Sequence, residues 1–551
     1  MIENGTEGIM NVYFVSVLFL LAAFVIIGIV VGRKVKTTAD YYVAGRNCGT
    51  ALIVCTLIAS YLSTVAFMGE VGYTYDGFLM PYLILVAISS LGYGFGARYF
   101  GVYLRRSQAL TLPEFFARRF DSPRIRMLSS IITVAGITAY LVGVQQGGAL
   151  LLMLLTDTSY MVSLILVLVG YGFFTFYSGS KGIVVTDSIM FMIFGGMAFL
   201  SIPFIYRSTG GWPQAIIETA LMTEKPGILS ATGVTEGAGA FMGGPVDTIT
   251  WGVVLGVVWF VVIASSPWQA SRYLLAKNEQ VVLRSGAVAT FLVLAMLLAL
   301  HLATVTLNNL NPNISPSETV YIWAALNHFP MWMGVVVCGG LMAAVLSSCS
   351  TFLSLIGFSV ANDIIPKIIK GEEKSQVKNS RIVMVIVALV SLVITYYQPP
   401  AVMWIGFFAA TLFACSWAVA AIASIWFKNA SESGAFFSML VGGIVFVATQ
   451  TLRYFAIVSF PTILRPEVLG FVASILGYVI FNRPSQIKDS ERAFREKILI
   501  NEELKVTPIA ELKKTANITK GLICGGVLLS VYFFVIYYIP YRQAMNMMAF
   551  M

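Results

Sequence analysis

Residues Gly339 to Asp363 read GGLMAAVLSSCSTFLSLIGFSVAND, an apolar segment long enough to span a bilayer that carries hydroxyls at Ser347, Ser348, Ser350 and Thr351. On a helix, Ala344, Ser347, Ser348 and Thr351 fall at i, i+3, i+4 and i+7 and share one face, with Ser350 on its flank. Neutral hydroxyl oxygens can replace part of the hydration shell of a monovalent cation without holding it too tightly, whereas a ring of carboxylates suits a divalent ion better. Small residues with Ser and Thr are also the ordinary means of packing membrane helices. The segment alone admits both readings, so the rest of the chain has to choose.

The class follows from composition. Hydrophobic residues make up 58% of the chain and charged residues 11%, with a mean hydropathy of +0.84, which describes a polytopic membrane protein. Runs of about twenty apolar residues, the length a bilayer demands, fall near 10–32, 49–76, 80–101, 127–155, 160–177, 183–206, 249–271, 285–307, 333–362, 382–397, 400–427, 435–456, 463–481 and 521–541. The expectation is an all-α chain of about fourteen transmembrane helices. Thirty of the 35 Lys and Arg fall in loops on one side, and Arg207, Lys225, Arg453, Arg465 and Arg542 face the other. By the positive-inside rule the heavy side is cytoplasmic and both termini are extracytoplasmic. The net charge of +9 is then topological and does not imply nucleic acid.

The first span has a short acidic leader rather than a basic one and reads as a retained helix. The six cysteines lack metal-ligand spacing, and His301 and His328 read as packed or interfacial. No HExxH, GxxxxGK[ST] or strand-borne GxGxxG occurs, so the chain is not expected to be an enzyme or an ATP-driven pump. The second span, Thr50 to Tyr75, places Ser60, Tyr61, Ser63 and Thr64 at its midpoint and Gly69, Glu70 and Gly72 in its outer half. Transporters place substrate and ion where a helix unwinds near the midplane, because freed carbonyls coordinate cations and half-helix N-termini face anions. The seventh span has a matching interruption at Ser265, Ser266 and Pro267. Gln145 and Gln146, midway along the fourth span, are costly in lipid unless they face a cavity or a partner helix.

Three segments together resemble the sodium/solute symporter family: DYYVAGR (Asp40 to Arg46), LIASYLS (Leu57 to Ser63) and AAVLSSCST (Ala343 to Thr351). TLPEFFARRF (Thr111 to Phe120), GSKGIVVTD (Gly179 to Asp187) and PWQASRYL (Pro267 to Leu274) extend the likeness in the family's order. The resemblance implies a LeuT-like core of ten helices in two inverted five-helix repeats. Residues 1–48 would form a peripheral helix and loop, 49–248 the first repeat, 249–460 the second, and 461–551 appended helices with a cytoplasmic connector at 482–520. It implies a sodium site from the carbonyls of Ala59, Leu62 and Ala344 with the hydroxyls of Ser347 and Ser348, and a second from Asp187, Ser347, Ser350 and Thr351. Solute-contacting positions of relatives correspond to Tyr61, Ser63, Ala66 and Trp259, and the Gln145 and Gln146 pair joins them as a candidate. The chain is therefore expected to be a symporter of a bacterial cell membrane that uses Na+ as coupling ion to import a small organic solute, an organic acid such as a monocarboxylate or pantothenate, or an amino acid. A proton-coupled carrier using Glu70 or Asp187, an exchanger of the same fold, and a transporter-like sensor are the alternatives.

Overall fold

In the computed structural model, which describes residues 7–33, 35–156, 158–234, 244–368, 374–397 and 402–550, the chain is helical, and no strand occurs among the described residues. Lys34 and Lys370, both counted above as cytoplasmic, lie outside them. Eleven helices among the described residues are long and apolar enough to cross a membrane. The sequence reading gives more because two of the eleven are not single spans.

The first of these runs through Tyr160–Ser208, 49 residues that as a straight rod would extend about 74 Å, more than twice a bilayer's hydrocarbon thickness. It breaks at Gly179, whose φ of 55° and ψ of −155° only glycine adopts readily. The chain folds back there: Asp187 accepts a hydrogen bond from Ser347, and Gly170 on the other arm lies against the neighbouring Leu346. The corner is strapped by the Tyr41 hydroxyl on the Phe176 carbonyl and by Ser180 Oγ on the Tyr42 carbonyl, 2.6 Å. Val65–Ser107 breaks in the same way at Gly77, φ 125°, so that Tyr82 reaches back to Glu70. The piece before Gly77 continues the short helix Thr50–Ala59 as the outer half of one interrupted second span. With the short apolar helix Pro466–Phe481, the chain resolves into the fourteen segments.

The seventh span is likewise in two pieces, Pro245–Ser265 and Pro267–Leu274. Pro267 cannot donate to the preceding turn, and its predecessor Ser266 is forced into extended backbone, φ −65° and ψ 154°. The interrupted helices are tied at one end by a two-residue bridge, Cys48 N–H to the Leu275 carbonyl and Lys277 N–H to the Cys48 carbonyl. The ninth span, Met331–Ser359, runs through the centre and is buried over most of its length. The connector forms the helices Asp489–Leu499 and Glu502–Val506, and Arg106 binds it through the carbonyls of Ile498 and Leu499.

Candidate functional site

The inner piece of the second span ends at Ala59, and residues 60–63 are unwound. Ser63 Oγ accepts the Val65 N–H, 3.1 Å, and so caps the outer piece. The Ala59 carbonyl, released from the helix ladder, is met by hydroxyls of the ninth span: Ser347 Oγ at 3.0 Å and Ser348 Oγ at 3.4 Å. Leu62 follows within the unwound stretch, and Ala344 sits one turn before Ser348 on the same helix; all five residues are fully buried. Ser347 Oγ also lies 2.7 Å from Asp187 Oδ1. Its single proton is thus shared between two acceptors, and a rotation of the Ser347 and Ser348 hydroxyls would turn their lone pairs toward the gap between the second and ninth spans. The set is neutral apart from Asp187, which suits a monovalent ion.

Asp187 is held by more than serine. Thr56 donates to its Oδ2 at 2.6 Å, and Arg272 lies 3.7 Å from the same oxygen while donating to Thr351. Ser350 turns to its own helix, donating to the Ser347 carbonyl at 2.9 Å. Here the sequence reading needs correction: Arg272, assigned to a cytoplasmic loop, is buried at 3% exposure in the short helix after the seventh-span break. The signal was present, because PWQASRYL keeps Gln269 and Arg272 at i and i+3, on one helical face, directly after a Ser-Ser-Pro break.

The two interruptions face each other. Gln269 Nε2 reaches Ser60 Oγ at 3.4 Å, and the Tyr61 ring meets Trp259 edge-on with centroids 5.6 Å apart. Phe407 closes the far side of the Trp259 indole at 5.4 Å, and Tyr93 packs on Tyr61 at 6.1 Å. Four buried polar atoms here lack a hydrogen-bond partner among the described residues: Trp259 Nε1, Ser266 Oγ, Gln269 Oε1 and the Tyr93 hydroxyl. Buried polar groups are rarely left unpaired unless something else meets them. Ser266 makes no side-chain cap, so the first amides after Pro267 have no side-chain acceptor from it. Ala66 is buried one turn beyond Ser63 on the outer piece. Gln145 does not join the group: its amide contacts the Tyr171 hydroxyl at 2.6 Å and Ser391 at 3.2 Å and accepts from Thr395 at 2.8 Å, a network binding the fourth, fifth and tenth spans. Gln146 is fully buried beside it. Tyr93 was missed because nothing in its local sequence distinguishes it from a packing residue, whereas Gln269 shares the helical face of Arg272 after the Ser-Ser-Pro break and was open to the same reading.

The segment after the sixth span folds over the Gly77 corner, Val234 N–H donating to the Gly77 carbonyl. Lys225 Nζ donates to the Tyr75 carbonyl and to Asn308 Oδ1, both at 2.8 Å, and sits 3.8 Å from the Tyr75 ring centroid. Burial lowers its pKa to about 8, with Asp76 opposing. Below about pH 8 the amine is charged whether the chain is folded or not, and the burial penalty is fully present. Above that value the folded state has released its proton while the unfolded state still holds one until the ordinary lysine range, so folding stability rises with pH across that window. Thermal midpoints of the parent measured against Lys225→Met should diverge in the parent's favour as pH rises from 7 to 10. A constant difference would show that the strap is insensitive to charge.

The model of the sodium:solute symporter family matches residues 41–442. The sodium/pantothenate symporter of Haemophilus influenzae is 25% identical over 488 residues, covering 85% of this chain and 96% of that protein. The sodium/proline symporter of Salmonella typhimurium is 21% identical, covering 83% and 90%. Among solved structures, a substrate-bound outward-open Na+-coupled sialic acid symporter superposes with a TM-score of 0.70 at 17% identity, over 85% of this chain and 97% of that one.

Proposed function

The chain belongs to the sodium:solute symporter family, and from that premise we propose that it imports a small carboxylate-bearing solute, an organic acid of the pantothenate or monocarboxylate kind or an amino acid, together with Na+ across a bacterial cell membrane. The observation that carries the reading is the opposed pair of helix breaks, with four orphaned polar atoms between them. Three of these can donate to a carboxylate, as can the uncapped amides after Pro267. Arg272 is engaged by Asp187, so recognition of an anion here rests on neutral donors. The relatives named for pantothenate and proline both carry solutes of this chemistry.

Sodium takes the oxygens of Ala59, Leu62, Ala344, Ser347 and Ser348 in this reading, bridging the second and ninth spans. Occupancy there favours whichever conformation brings the two spans together, which is how ion binding biases the solute site. A tenfold sodium gradient is equivalent to about 1.4 kcal/mol, and one charge crossing 100 mV to about 2.3 kcal/mol. For a monovalent organic anion, one sodium gives electroneutral uptake and leaves the voltage unused. A second sodium at Asp187, Ser347, Ser350 and Thr351 would restore one net charge, but it would have to share that carboxylate with Arg272.

The first test is Ser348→Ala, which removes one coordinating oxygen and adds no bulk. The half-saturation for sodium should rise about tenfold, the worth of one hydrogen-bond-sized interaction, with membrane insertion intact. An unchanged sodium dependence in a transporting variant rejects the site. The second is Trp259→Phe, which keeps apolar surface and removes the indole N–H; it should raise the half-saturation for solute severalfold and leave sodium activation at saturating solute unaltered. Joint loss of both affinities would identify Trp259 as a packing residue.

A second reading, proton coupling, is favoured by Glu70, which is buried at 3% exposure against the Tyr82 phenol with no cationic partner among the described residues. Uptake that persists without sodium and collapses with the pH gradient would select it.

A further inference from the structure

On the arginine-rich side of the membrane the third, seventh and eleventh spans leave between them an apolar groove of about 320 Å³. Phe95, Tyr99, Phe260, Ala264, Ile422 and Trp426 line it. Phe95, Tyr99, Ile422 and Trp426 are about two-fifths exposed, so the groove opens outward toward lipid and not into the solute site. Its one aliphatic hydroxyl, Ser265, is spent on the Val261 carbonyl of its own helix at 2.9 Å, so apart from the Tyr99 phenol the lining is apolar. The mouth is different. Trp426 donates to the Tyr99 carbonyl at 3.0 Å and so fixes the rim, and Arg98 stacks over the Tyr99 ring at 5.9 Å. Neighbouring arginines of the same loop, Arg105, Arg106, Arg118, Arg124 and Arg126, are each tied to a carboxylate. Arg98 is exposed and, among the described residues, forms no ion pair: it meets the Tyr99 ring and lies near Tyr103.

We propose that this groove is a binding site for one anionic phospholipid of that leaflet, an acyl chain lying between Phe260 and Ile422 and the phosphate resting on Arg98. The dry lining matches a hydrocarbon chain, the Trp426 and Tyr99 rim sits where aromatic side chains meet headgroups, and the unpaired guanidinium supplies the charge a zwitterionic lipid would not need. The chain packs beside Ala264 and Ser265, the last residues before the seventh-span break, so occupancy braces that piece against the eleventh span. The inference does not depend on which solute is carried.

The test uses the full chain, delipidated in detergent and offered palmitoyl-oleoyl phosphatidylglycerol or palmitoyl-oleoyl phosphatidylcholine, with tightly retained lipid counted by native mass spectrometry and thermal midpoint followed in parallel. The parent should retain one phosphatidylglycerol about fivefold more tightly than phosphatidylcholine, as one lysine- or arginine-sized contact at a membrane surface provides. Arg98→Gln should abolish that preference and still hold either lipid. Ile422→Trp, which fills the groove from its exposed rim, should lose the retained lipid of both kinds while keeping the lipid-free thermal midpoint. Survival of the phosphatidylglycerol preference in Arg98→Gln overturns the headgroup assignment, and unchanged retention in Ile422→Trp overturns the groove.

Discussion

Arg272→Met should destabilise the protein by about 3–5 kcal/mol, the cost of stranding one partner of a buried ion pair, and Asp187→Asn should recover most of that loss when combined with it. The reason is the position of the pair: Asp187 is fully buried and Arg272 3% exposed, inside a core where, among the described residues, the other donors to the carboxylate are the hydroxyls of Thr56 and Ser347. Removing the guanidinium leaves a negative charge with two neutral donors, and removing the carboxylate alone leaves a guanidinium with Thr351. Replacing both leaves neither charge, which buried pairs commonly tolerate. Thermal unfolding of the two single variants and the double variant closes the cycle, and a double variant no better than the worse single one would show that the residues act separately. The same double variant bears on stoichiometry. If Asp187 serves a second sodium during the cycle, its removal lowers the charge moved per solute by one, and an unaltered charge-to-flux ratio in reconstituted vesicles rejects that ion.

Gly179→Ala should cost a further few kcal/mol and appear first as a loss of folded protein. Two penalties add. The backbone there lies in a region open essentially to glycine, worth about 1–3 kcal/mol of strain for any other residue. A methyl group would also stand 2.6 Å from Tyr41 Cδ2 and 2.7 Å from the Tyr41 carbonyl oxygen. The carbonyl belongs to the backbone that straps the corner and cannot swing away as a flexible side chain could, so overpacking adds a comparable amount, about 1–3 kcal/mol. Gly196→Ala is the matched control, in the same pair of spans with open space around it. Equal thermal midpoints and equal yields of monodisperse protein for the two variants would mean that the chain does not depend on Gly179 to turn back.

Much of this was legible along the chain. The membrane class and the number of segments follow from hydropathy, because a bilayer requires about twenty apolar residues per crossing regardless of what packs beside them. The breaks at Ser60–Ser63 and Ser265–Pro267 were readable because polar residues and proline inside apolar runs have local consequences. The hydroxyl face of the ninth span follows from helical periodicity alone. Tertiary structure decided what faces these features. That Ser347 meets the Ala59 carbonyl, that Gln269 reaches Ser60 and that Arg272 turns inward to Asp187 depend on contacts between residues 85 to 288 positions apart in sequence, which periodicity within one helix cannot encode. It also set two buried polar side chains in different surroundings: Trp259 meets Tyr61 edge-on with its N–H unpartnered among the described residues, whereas Gln145 spends its amide on Tyr171, Ser391 and Thr395. A buried polar group costs the same to desolvate in either role, and only the identity of its neighbours determines whether it is satisfied within the fold or left for a ligand.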